Sequence, residues 1–176
     1  MDLLHPKIVH FPIALAVLIP VLAAVVWAAW RRELLPRRAW WLVVGAQLFL
    51  VASGFIAMRS GESDEERAER VVPESAIEVH EEAAKVFMAG AFVVLLLAGG
   101  TLLLKKERAA QTVAAVSALG MLGVLGLGYR VGQAGGALVY EHGAASAVSK
   151  AGSAAMPAAE AGEGRGGKHD DDDDDD

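Results

Sequence analysis

The side chains in this chain best placed to do chemistry near neutral pH are five histidines, His5, His10, His80, His142 and His169. Neutral imidazole ligates haem iron, copper or zinc. His5 and His10 open the motif His5-Pro6-Lys7-Ile8-Val9-His10-Phe11-Pro12, which runs into an apolar segment ending at Trp30. His80 is followed by Glu81 and Glu82, and His142 closes Leu138-Val139-Tyr140-Glu141. There are no cysteines, which excludes disulfides, iron–sulfur clusters, c-type haem attachment, thiolate zinc and a cysteine nucleophile. No His-Glu-x-x-His and no nucleophile motif is present, so a hydrolase is disfavoured.

These residues must be positioned by elements of unusual apolarity. The 176 residues are 54% hydrophobic, and four runs of about 20 apolar residues match a hydrocarbon core of about 30 Å at 1.5 Å per residue. The expected fold is an all-α integral membrane protein, a four-helix transmembrane bundle occupying residues 1–143. Its helices are expected at about 8–30, 39–58, 75–104 and 110–131. Pro6 or Pro12 suits a first helical turn, and Pro20 is expected to kink the first helix. Residues 59–79 read as a long acidic loop, with Pro73 and Ser75 as start signals for the third helix. The Ala- and Gly-rich segment 144–176, ending in Asp170–Asp176, buries no apolar surface and is expected to be disordered. Those aspartates supply most of the formal charge of −6. No basic patch with interleaved aromatics points to nucleic acid.

Two short basic loops, Arg31–Arg38 and Lys105–Arg108, set the orientation. Both are expected on the cytoplasmic side, so both termini lie outside, as in a multi-pass protein of a bacterial inner membrane. The start of the chain lacks a basic n-region and its apolar run exceeds an h-region, so it reads as a retained helix rather than a signal peptide. Trp27, Trp30, Trp40 and Trp41 share one depth and are expected to form an interfacial belt. Gly120, Gly123, Gly126 and Gly128 of the fourth helix allow close backbone approach in lipid. Glycines after Tyr129 predict a turn, with Leu138-Val139-Tyr140 lying back over the mouth as a lid.

On this topology His5, His10, His80 and His142 converge on the outer rim. Two imidazoles on facing helices, with small residues between them, suit a six-coordinate b-type haem. His80 and His10 are the expected ligand pair, with His5 and His142 as further candidates. Phe87 lies on the stripe below His80, expected to pack on the porphyrin, and Arg130 and Lys7 are placed for its propionates. Glu81 and Glu82 could orient the ligand imidazole. Each histidine also has a structural reading, as a helix cap or loop hydrogen-bonder.

The opening His-Pro-x-x-Val-His-Phe-Pro-Ile-Ala-Leu and the later Gly-Gly-x-Leu-Val-Tyr-Glu-His-Gly resemble a bacterial family of four-helix membrane proteins, domain-of-unknown-function family 2231. The resemblance covers about residues 3–143 and stops before the Ala/Gly-rich tail. It implies the architecture firmly. Members fused to cytochrome-like or Rieske-like modules imply redox company, and His5, His10 and His80 match the family's histidine positions.

The sequence therefore predicts a membrane haem-binding subunit that takes part in electron transfer at the outer face. A single haem near one face cannot carry electrons across about 30 Å unaided. The alternatives are a structural or accessory subunit of a larger membrane complex, and an outer-face copper or zinc site. The expected partners are the lipid bilayer, other membrane subunits or redox proteins at the outer face, and further copies of the chain. A transporter is disfavoured because the spans lack buried charge, Gln47 being the most polar mid-span residue.

Overall fold

The computed structural model describes residues 10–68 and 72–140. Within them the chain forms α1 (His10–Arg31), a 3-10 turn (Arg37–Ala39), α2 (Trp40–Ala68), α3 (Glu74–Leu103) and α4 (Glu107–Tyr140). No strand occurs among the described residues. All four helices are long and apolar enough to cross a membrane. His5, His142, Lys7 and the tail 144–176 lie outside the described residues.

Two boundaries differ from the sequence expectation. The acidic segment after Arg59 continues α2 as far as Ala68, so the connection to α3 is much shorter than the loop expected at 59–79. In addition, α4 runs unbroken through Gly132, Gly135 and Gly136 to Tyr140, where the sequence suggested a turn and a lid. Glycine destabilises an isolated helix, but here one face of the glycine segment packs against α3. With 34 residues, α4 is about 51 Å long at 1.5 Å per residue. It exceeds the hydrocarbon thickness of about 30 Å, so it is longer than an untilted crossing needs. Pro12 falls in the first turn of α1, and Pro20 lies buried within a helix that continues on either side of it.

α1 ends in a tight backbone reversal. Leu34 N–H donates to the Ala29 carbonyl at 2.9 Å and Glu33 N–H to Trp30 at 3.0 Å. Glu33 takes φ of 61°, the left-handed conformation that usually follows a helix C-terminus and usually belongs to glycine.

The helices form a ring in chain order. α1 packs on α2 and α4, α3 packs on α2 and α4, and neither diagonal pair makes a comparable contact. The most extensive pairing is α3 with α4. It is built as large residues set into glycine notches. A Cβ built at Gly120 would lie 2.9 Å from Val94 Cγ2, one at Gly90 2.9 Å from Leu127 Cδ1, and one at Gly128 3.2 Å from Phe87 Cε2. Without a strong hydrophobic drive between helices in lipid, such close shape matching supplies the association energy. The core stripe of α3 is Phe87, Ala91, Val94, Ala98 and Thr101. It faces Ala110, Ala114, Ser117, Met121 and Val124 of α4.

The tryptophans do not form the expected lipid-facing belt. They share the basic end of the bundle, but only Trp41 is turned outward. Trp40 Nε1 donates to the Ala98 carbonyl at 3.0 Å, Trp27 Nε1 to the Gln111 carbonyl at 3.0 Å, and Trp30 Nε1 to Glu107 Oε1 at 2.6 Å. Each bond ties two helices together. An indole N–H directed into hydrocarbon would have no acceptor, and the small side chains beside these acceptors let the rings reach them. The same rule governs Gln47, which is buried mid-span and donates Nε2–H to the Ala91 carbonyl at 3.0 Å.

Candidate functional site

His80 belongs to the second turn of an α3 helix that starts at Glu74. It lies seven residues before Phe87, so at about 100° per residue it continues the same inward stripe. Its ring is half-buried and enters the last notch of the α3–α4 ladder. A Cβ built at Gly135 would sit 3.2 Å from His80 Cε1 and 3.4 Å from Nδ1. Nδ1 itself is buried. Phe87 and His80 thus repeat one arrangement seven residues apart, against Gly128 and Gly135, which are also seven apart.

His10 is placed differently. It is the first residue of α1 and is exposed. The buried stripe of α1 comprises Pro12, Ala16, Ile19, Pro20, Ala23, Val26 and Trp30. At 100° per residue His10 points about 150° away from the centre of that stripe. Its neighbour Phe11 meets Phe49 of α2 edge-on, with ring centroids 6.5 Å apart, on the outer surface of the bundle.

The expected equality of depth is consistent with the packing. Phe87, Gly128 and Ala16 meet at one level. His80 lies seven residues beyond that level and His10 six, which is about 9–10 Å along each helix. Equal depth does not bring the rings face to face. α1 and α3 stand at opposite corners of the ring, His80 faces α4, and His10 faces away from the core.

The other expected cofactor contacts are also resolved by packing. Phe87 is buried, its ring set into the Gly128 notch of α4, with Met88 filling the Gly54 notch of α2 beside it. Phe87 fills the space that the small residues were expected to leave for a porphyrin. Arg130 is exposed on α4, on the side opposite its core stripe. Glu81 accepts from Lys85 Nζ at 2.8 Å, one turn along α3. No cluster of three or more potential metal-ligating side chains occurs among the described residues. A haem clamped between His10 and His80 inside the bundle does not fit this arrangement. His5 and His142 lie outside the described residues.

What sequence reading missed is the role of the glycines. The signal was available in the seven-residue spacing of Gly128 and Gly135 and of His80 and Phe87, but only an antiparallel register pairs the two series.

Among known proteins, the model of a family described as Predicted membrane protein (DUF2231) matches residues 2–147. No curated protein and no solved structure matches the chain.

Proposed function

Because the chain belongs to this family of predicted membrane proteins, we propose that it is a non-catalytic subunit of a larger membrane assembly, held in the bacterial inner membrane with both termini outside. The observation that carries this reading is an outward-facing pair of glycines. The bundle's interior is filled by side chains set into glycines, whereas Gly123 and Gly126 of α4 are exposed, and a Cβ at either would meet nothing within 4 Å. Beside them stand the exposed Leu119 and Leu122. In lipid such a face favours the close approach of another helix. The basic loops support the orientation. Arg31–Arg38 and Lys105–Arg108 share one end, as the Trp30–Glu107 and Arg37–Thr101 hydrogen bonds require, and His80 lies towards the other.

The test is the particle size of the tagged chain solubilised from its native membrane in mild detergent. The expected result is a particle well above the 18.4 kDa chain that shrinks in Gly123→Leu/Gly126→Leu. A monomer-sized particle for both proteins rejects the reading.

A second reading rests on His80: a b-type haem, or a copper or zinc ion, held at the outer end of the bundle, with His5 or His142 as the other ligand. Its support is an imidazole at the water-facing end of the core stripe with Nδ1 buried. Haem would supply one-electron chemistry there, in exchange with a redox partner at the outer face. Under this reading the purified protein shows a Soret band that shifts on dithionite reduction and is lost in His80→Ala. A colourless protein with no bound copper or zinc rejects it.

A further inference from the structure

We infer that the groove between α2 and α3 at the basic end of the bundle is a binding site for an anionic phospholipid. The groove has a volume of about 690 Å³, within the range of small-ligand clefts. Its walls are apolar, with Trp41 and Val44 on one side and Leu95 and Leu103 on the other. It exists because α3 carries Gly99 and Gly100 there: a Cβ at either position would meet nothing within 4 Å, so the helix surface is hollow where side chains would otherwise fill it. Arg37 and Arg38 hold one end.

The arginines decide the occupant. Arg37 is half-buried, and its Nη2 donates to the Thr101 carbonyl, which fixes the guanidinium at the rim of an apolar trough. Arg38 is exposed beside it. Among the described residues no acidic side chain lines the groove. Lys105 and Lys106 follow just after the end of α3. A transmembrane helix from another protein would satisfy the trough but leave two cations at its mouth without a counter-charge. An anionic phospholipid satisfies both parts at once. Its phosphate meets Arg37 and Arg38 at headgroup depth, beside the outward-facing Trp41, and an acyl chain lies over Gly99 and Gly100. Basic pockets between transmembrane helices select anionic headgroups by this chemistry.

The experiment uses the full chain in detergent, with lipid binding read by native mass spectrometry. The probes are dioleoyl phosphatidylglycerol and dioleoyl phosphatidylcholine, which share acyl chains and differ in charge. Phosphatidylglycerol is expected to bind preferentially. Arg38→Gln, at an exposed position that leaves the fold undisturbed, should weaken that preference about five-fold. Gly100→Leu should lower the binding of both lipids by filling the trough, with the particle otherwise unchanged. Equal binding of the two lipids by the parent protein overturns the proposal, as does a preference that survives both substitutions. If Gly100→Leu instead converts an oligomer to a monomer and leaves lipid binding unchanged, the groove is a helix interface and the proposal fails.

Discussion

The imidazole of His80 occupies the hollow that Gly135 leaves in α4, with Cε1 3.2 Å from where a β-carbon at that position would stand. The pairing ties the N-terminal end of α3 to a stretch of α4 that contains three glycines and is helical nonetheless. A methyl group at Gly135 must move the ring. Gly135→Ala is expected to forfeit the roughly 1 kcal/mol that alanine normally gains over glycine in a helix and to speed modification of His80 by diethyl pyrocarbonate. A similar rate in the parent and Gly135→Ala proteins would show that the ring does not depend on this contact.

One heptad deeper, Phe87 and Gly128 repeat the arrangement where the ring is buried. There the ring also borders the Gly54 hollow, which Met88 Sδ already fills. Gly128→Leu should therefore destabilise more than Gly135→Leu, by about 1–3 kcal/mol. Thermal unfolding in detergent measures it, and the ranking of the two variants is the decisive outcome.

The cross-helix bonds of Trp40 and Gln47 should differ in worth from their counterparts in a water-soluble core. Interhelical hydrogen bonds in membranes average about 0.6 kcal/mol, because the unfolded state in lipid also finds partners. Gln47→Leu, which removes the bond to Ala91 and keeps a side chain of similar size, is expected to change stability by less than about 1 kcal/mol. Trp40→Phe should cost more, since it also removes volume from a site with no exposed surface. Reversible unfolding in mixed micelles checks both.

Glu33 holds a backbone conformation that favours glycine, with φ of 61°, and its side chain is exposed. Glu33→Gly should stabilise the α1–α2 connection by up to about 1 kcal/mol. An unchanged or lowered unfolding temperature would mean that the side chain contributes something the backbone argument omits.

The cysteine-free sequence makes orientation directly measurable. Leu34→Cys lies in the exposed basic connection, and Ser75→Cys lies at the start of α3, at the opposite end. On intact cells a membrane-impermeant maleimide should label Ser75→Cys and spare Leu34→Cys until the membrane is permeabilised. The reverse pattern inverts the proposed topology.

Chain order and hydropathy alone determined the number of spans, their approximate limits and the end at which the basic residues gather. Those follow from the match between apolar length and bilayer thickness, which needs no knowledge of neighbours. Only the tertiary structure decided which way each residue faces. A helix that is apolar on nearly every side gives a weak directional signal, so His10 and His80 looked equivalent although one faces out and the other in. Trp27, Trp30 and Trp40 were assigned the right end and the wrong face for the same reason. The extension of α4 to Tyr140 was likewise hidden: glycine's local tendency is to break a helix, and what outweighs it is the Phe87 and His80 rings filling notches on a second helix, a contact that exists only once the two are paired.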